Sequence, residues 1–295
     1  MLLGVAGLQA AECAETILFV GNSFTFGAES PPVQGYRPET VTDLNHEGMG
    51  GVPALFKSFA RQAGLAYDVS LETASGMNLD YHFEQKSPLI ARAWDHVVLQ
   101  GYSTLDENAP GDAGKIIDYS ARLARLFHAA NPRVDVRLVA TWSRADQTYL
   151  ASGRWYGQPI EAMAIDVRNA YDRAAERSSN IRSVIPVGEA WNRAFADGVA
   201  ARNPYEAIGL RQMNLWAADG YHASRYGYYL AALVIFGSVT GQDPRVLGAR
   251  EQAAAQLGIS PDRALALQRI AFETLEGERT KSAMPVNVGA ARAVS

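Results

Sequence analysis

One cysteine, Cys13, stands in 295 residues, which excludes an internal disulfide and any zinc site built from cysteines. It lies ahead of the first strand-like run, away from the segments that carry chemistry. Charge of either sign is not in excess: 27 Lys and Arg face 31 Asp and Glu, a formal net charge of −4 with no charged block. The electrostatic footprint of a nucleic-acid binder is therefore absent. No apolar run is long enough for a membrane helix. There is no H-E-x-x-H, no G-x-x-x-x-G-K-[ST] and no G-x-G-x-x-G after a strand, so the common zinc-protease, nucleotide and dinucleotide motifs are missing. Neither an internal repeat nor a low-complexity linker divides the chain, and one domain over 15–280 is expected. The opening "MLLGVAGLQAAECAET" is apolar and rich in small residues, and Ala11 and Cys13 have the small-x-small spacing of a cleavage site. Residues 1–14 thus read as the end of a signal peptide, implying a secreted or periplasmic protein, and residues 281–295, small and polar, as a frayed tail.

What is present is an alternation. Five short runs rich in β-favouring residues, 17–21, 67–73, 96–100, 136–141 and 184–187, are separated by helix-period stretches at 52–62, 115–130 and 160–177. Such alternation implies an α/β protein with a parallel sheet covered on both faces. In the first helix Leu55, Phe56, Phe59 and Ala60 share a face; in the second Ile116, Ile117, Leu123, Leu126 and Phe127 do. A further helix is expected after "DGYHAS", with Ser224 as its cap. Three long segments lack periodicity, one after Ser23, one after the fourth strand and one over 197–218, and loops of that length are uncommon without a role. Trp142, Trp155, Tyr156 and Trp216 fall in or near them, suited either to a wall against a sugar or acyl group or to anchoring the loops.

The stretch "ILFVGNSFTFG" ends an apolar strand in Gly21, Asn22 and Ser23. A serine at such a turn holds its hydroxyl at the sheet edge beside free backbone N–H groups, a geometry suited to acyl attack. It needs a base. Of five histidines, His46 lies in a polar loop, His82 follows a turn, His96 begins a strand and His128 closes a helix, where it favours the dipole. His222 sits three residues after Asp219 in "DGYH", close enough for the carboxylate to hold Nδ1 and aim Nε2 at a serine. On its own this Asp could equally cap the next turn.

Together, "GNS" at the end of the first strand and "DGYH" before a late helix resemble the first and last signature blocks of the SGNH hydrolase superfamily, the GDSL-like esterases and lipases. Asn22 stands where many members have Asp. The resemblance implies a three-layer α/β/α sandwich with a flavodoxin-like sheet of five parallel strands. It implies Ser23 as nucleophile, His222 as base and Asp219 as its orienting partner, with neither metal nor cofactor. The oxyanion hole would comprise the N–H groups of Ser23 and Gly76, the latter in the turn after the second strand. Its third donor is usually an Asn in Gly-x-Asn-Asp, and here the chain reads "HVVLQGYSTLDEN". Gln100 fills the role if Gln100-Gly101 matches the variant found in sialate O-acetylesterase-like enzymes; Ser103 fills it if Gly101 is the motif glycine. Asn22, Trp142, Trp155, Tyr156, Trp216 and Tyr221 are the expected substrate contacts. The reading is an esterase removing acetyl or another short acyl group from a small-molecule or carbohydrate ester. A lipase or thioesterase of the same fold, and a non-catalytic carbohydrate-binding protein on this scaffold, are the alternatives. An α/β-hydrolase is disfavoured, because Thr25 stands where G-x-S-x-G needs its second glycine.

Overall fold

A computed structural model describes residues 14–283. The expected signal-peptide remnant, apart from residue 14, and most of the expected C-terminal tail lie outside the described residues. The chain opens with β1 (Glu15–Gly21), which turns directly into the short helix α1 (Ser23–Phe26). Helix α2 (Pro31–Gln34) and a two-residue strand β2 (Thr42–Asp43) lead to α3 (Gly51–Gln62), β3 (Tyr67–Thr73), α4 (Leu79–Ile90) and β4 (His96–Leu99). Then come α5 (Gly114–Ala130), β5 (Asp135–Ala140), α6 (Ala145–Tyr149), α7 (Glu161–Glu176), β6 (Ser183–Pro186) and α8 (Val187–Ala196). Helices α9 (Arg225–Thr240), α10 (Gln252–Gln256) and α11 (Pro261–Ala283) complete the described chain.

The strands form one parallel sheet in the order β2-β3-β1-β4-β5-β6. The five expected strands are β1, β3, β4, β5 and β6, in the flavodoxin-like order. The sixth, β2, lies inside the first long loop and pairs Thr42 with Ser70 and Asp43 with Leu71. Two residues of polar sequence carry no period of their own, so β2 was invisible to pattern. The chain passes from β1 outward to β3 and then returns to β4 on the other side. That reversal leaves a crevice between the carboxyl ends of β1 and β4, where ligands of open α/β sheets bind.

Alternation along the strands builds two cores. Ile17, Phe19, Val69, Leu71, Val98, Val139 and Ile185 face α3, α8 and α9, with α11 packed outside them. Leu18, Val20, Val97, Leu99, Val136 and Leu138 face α4, α5 and α7. Of the expected helix faces, Leu55, Phe56, Phe59 and Ala60 are buried, as are Ile116, Leu123 and Phe127; Ile117 and Leu126 are half-buried at the margin. Helix α9 is apolar all round because α3, α8 and α11 enclose it. Ser224 caps it, accepting the Tyr226 N–H at 3.2 Å. The expected boundaries of β1, β3, α3, α5 and α7 agree with those observed to within two residues.

An aromatic cluster holds α3 to the sheet: the Phe56 ring lies 5.6 Å from Phe19, 5.2 Å from Tyr67 and 6.4 Å from Phe236. Phe56→Ala would open a cavity shared by three elements and is expected to lower stability by about 3–5 kcal/mol, read as a shifted midpoint in urea unfolding.

Candidate active site

The site gathers at the carboxyl edge of the sheet. Asn22, the N-cap of α1, organises it. Its Oδ1 accepts the Phe24 N–H at 3.1 Å, while its Nδ2 donates to Met77 O at 2.9 Å and to Gly101 O at 3.3 Å. One side chain thus joins the turn after β1 to the loops after β3 and β4. Those bonds use both Nδ2 hydrogens and give the Asn22 amide a bracing role. Ser23 is 4% exposed, and its N–H makes no hydrogen bond to another described residue. The Gly76 N–H, exposed in the loop after β3, is likewise free, and its φ of 70° is one that glycine adopts without strain.

The Asp219–His222 corner faces the Ser23 turn. His222 Nδ1 lies 2.7 Å from Asp219 Oδ2, while Asp219 Oδ1 accepts the N–H groups of Tyr221 at 2.9 Å and His222 at 3.0 Å. Burial pulls the Asp219 carboxyl upward, but the His222 ring and these backbone donors outweigh it and hold it below the usual carboxylate range. An ionised carboxylate only accepts, so the chemistry of the pair assigns the proton to Nδ1 and leaves the lone pair on Nε2. Nε2 is shielded from solvent and makes no hydrogen bond to a described residue. The His222 ring lies 5.7 Å from Phe24, the residue after Ser23. Trp142 fixes that approach: it stacks on Phe24 at 4.2 Å and donates from Nε1 to Tyr221 O at 3.2 Å. Gly220 lets the corner turn, with φ of 66°, and a Cβ there would stand 2.2 Å from the Tyr205 hydroxyl. Its carbonyl accepts the N–H groups of Ala145 at 2.8 Å and Asp146 at 3.2 Å, tying the corner to α6.

Other expected residues fall elsewhere. The Gln100 amide is buried and engaged: Oε1 accepts the Asn22 N–H at 3.1 Å and the Thr25 hydroxyl at 2.9 Å, and Nε2 donates to Gly101 O. It supports the Ser23 turn from beneath, with one of the two Nε2 hydrogens given to Gly101 O. Trp142, Trp155 and Trp216 are each 2% exposed or less and are core residues. Trp155 donates to Asp166 Oδ2 at 2.8 Å in the core beneath α7, and Trp216 to Ser143 O at 2.9 Å beside Trp191 and Phe195. None presents a face to a ligand. Tyr156 is 58% exposed and Tyr221 is half-buried, packed against Phe24 and His222.

Sequence reasoning missed Arg144, which lies two residues after Trp142 in the loop following β5. It is 9% exposed; its Nε and Nη2 reach the two Asp146 carboxylate oxygens at 3.0 and 2.7 Å, and its Nη1 donates to Ser103 Oγ at 3.3 Å. The guanidinium carbon sits 3.5 Å from the centre of the Tyr221 ring. Burial pushes the Tyr221 phenol up, opposed by the Arg144 charge. The sole sequence signal was an Arg two residues before an Asp at a strand's carboxyl end. Among the described residues no helix is long and apolar enough to cross a membrane, and no group of three or more His, Cys, Asp or Glu could hold a metal ion.

No protein-family model and no curated protein sequence matches the chain. Among solved structures it is similar to a DUF4886 family protein from Bacteroides uniformis, at 18% identity and a TM-score of 0.56 over 90% of this chain and 95% of that one. It is also similar to a protein described as a GDSL-like lipase from Parabacteroides merdae, at 17% identity and a TM-score of 0.53 over 77% and 95%. The fold is that of the SGNH hydrolases, as the order of the strands and the resemblance of the end motifs implied.

Gln100→Ala should leave the buried Asn22 N–H unpaired and lower stability by about 1–3 kcal/mol, seen as a reduced melting temperature. Because the Asp219 carboxyl titrates below its unfolded value, its contribution to stability is present above about pH 4 and is lost as pH falls through the lower folded value. The stability gap between wild type and Asp219→Asn, followed by thermal melting, should therefore close on acidification.

Proposed function

We propose that the protein is a serine esterase in which Ser23 attacks an ester carbonyl, His222 moves the proton and Asp219 orients the imidazole. The observation that carries the reading is the His222 ring itself: Nδ1 is held 2.7 Å from Asp219, and Nε2 is free beside the Ser23 turn. In the first step the Ser23 Oγ bonds to the carbonyl carbon, its proton passes to Nε2, and the carbonyl π pair moves onto oxygen. The free N–H groups of Ser23 and Gly76 are the backbone donors for that oxyanion. Collapse breaks the bond to the alcohol, which leaves with the proton from His222. Water then repeats the sequence on the acyl-enzyme, and no metal or cofactor takes part.

A Ser23 that is 4% exposed, with the Phe24 and Tyr221 rings 5.4 Å apart beside it, favours a short acyl group, acetyl above all. On the alcohol side Tyr205, 46% exposed, adjoins Gly220, and the Tyr149 ring lies 6.3 Å from that of Tyr205. Such rings suit a carbohydrate, which makes deacetylation of a sugar ester the preferred role. The apolar, small-residue leader read in the sequence goes with an exported enzyme of one catalytic domain.

Ser23→Ala is expected to abolish hydrolysis of p-nitrophenyl acetate, and His222→Ala to lower kcat by several orders of magnitude with little change in KM. Release of acetate from a panel of acetylated polysaccharides should depend on Ser23, and longer acyl esters should turn over more slowly. Sugar binding without any Ser23-dependent turnover would favour the non-catalytic alternative.

A further inference from the structure

Two groups crowd the Tyr221 ring. The Arg144 guanidinium carbon lies 3.5 Å from the ring centre, and the centre of the His222 imidazole lies 4.0 Å from it with the planes 31° apart. A neighbour at the edge of a phenol ring cannot come that near its centre, so both groups lie over its faces. Two flat groups at those distances would overlap on one face. Tyr221 is therefore held between them, with the guanidinium on one side and the imidazole on the other. Both faces are covered, so the ring has no flat side on which a sugar could stack.

The bond to Asp219 at 2.7 Å fixes one point of the imidazole, its Nδ1. One such bond leaves the ring able to swing about its side-chain torsions. Tyr221 supplies the missing constraint, because a flat neighbour at van der Waals distance sets the plane, and the Phe24 ring, 5.7 Å away at 65°, closes a further direction. The backbone N–H groups of Tyr221 and His222 both go to Asp219 Oδ1, which holds the tight turn that brings the two rings together. Tyr221 is itself fixed from its far face. Arg144 is 9% exposed and bonded to Asp146 and Ser103, so the guanidinium has one place to lie. A guanidinium lies flat on an aromatic face and is attracted to it, more strongly where water is excluded.

We propose that Tyr221 is a positioning residue that sets the plane of the His222 imidazole, and that Arg144 braces the ring from behind. The inference rests on the esterase reading. As the Ser23 Oγ bonds to the carbonyl carbon its proton moves to Nε2, and the imidazole later returns that proton to the departing alcohol. Tyr221 and Arg144 exchange no proton. Their contribution is to keep Nε2 aimed at the hydroxyl through both transfers, where a misplacement of about 1 Å is enough to cost about a hundredfold in rate.

The test uses the full chain, p-nitrophenyl acetate turnover and the rate at which a fluorophosphonate labels Ser23, located by peptide mass. Tyr221→Leu is expected to lower kcat by about 10–100-fold with KM moving less than about threefold, and to slow labelling in proportion. Tyr221→Phe, which keeps the ring and loses only the hydroxyl, should restore turnover to within about threefold of wild type. Arg144→Met, which keeps the stem and loses the charge, should lower kcat by a smaller factor and add little to Tyr221→Leu, because it acts through that ring. The deciding background is His222→Ala. With no imidazole to orient, Tyr221→Leu should leave the residual labelling rate of Ser23 unchanged, whereas a ring that only supports the fold would slow it there too. Undiminished turnover in Tyr221→Leu, an equal loss in Tyr221→Phe, or slower labelling on adding Tyr221→Leu to His222→Ala overturns the inference and leaves the esterase intact. Arg144→Met without effect on wild type, or with the same effect on wild type and on Tyr221→Leu, overturns the brace. A wild type with neither Ser23-dependent turnover nor Ser23 labelling overturns the esterase reading and this inference together.

Discussion

The Asn22 side chain is where three loops become one site. It caps the turn that carries Ser23 and binds one carbonyl from the loop after β3 and another from the loop after β4. Gln100 completes the frame from below by taking up the Asn22 N–H. Both amides are buried, so each bond is stiff and the loss of either would leave a polar group unsatisfied. In the proposed esterase such a frame would keep the Ser23 hydroxyl in place while the carbonyl carbon rehybridises. The polar residues nearest Ser23 in sequence thus hold the serine still, and the chemistry comes from chain segments far from it.

A second frame holds the imidazole. The stack of Trp142 on Phe24, the bond from Trp142 to Tyr221 and the Gly220 carbonyl gripping α6 bring the loop before α9 over the Ser23 turn. Arg144 continues that frame, pressed on Tyr221 and bonded to Ser103. The two frames meet at Ser23 and Tyr221. The Phe24–Trp142–Trp191 stack beneath them belongs to the core of the sheet's α9 face, so the placement of the site and the packing of the domain are one arrangement.

The strands were legible because each is a short apolar run bounded by turn residues, and α3, α5 and α7 because their apolar faces repeat at helical spacing. Helix α4 was not, since Pro88 interrupts it and its first turns read as a polar loop. Helix α8 starts at once from β6 with no side-chain cap, which hid its beginning. The candidates Ser23, Asp219 and His222 came from two motifs whose residue types and order are specific, and the structure brings both motifs to one edge of the sheet. The buried bonds of Gln100 were not legible because an amide at a strand's end can face the crevice or the core, and sequence does not distinguish the two. The tryptophans misled for a related reason: a segment without periodicity can still bury large rings, as Trp142 and Trp216 do. Arg144 was opaque because its contacts are with Ser103, 41 residues earlier, and Tyr221, 77 residues later.

The two borders of the sheet carry a consequence for the protein in a crowded solution. Beyond β3 lies only the two-residue β2, ending in the charged Asp43, and at the far side β6 runs for four residues and ends in Pro186. A long bare strand border invites another polypeptide to pair with it, and brevity, charge and proline are the features that blunt such recruitment. The outermost strands therefore leave another polypeptide little unpaired border to add to.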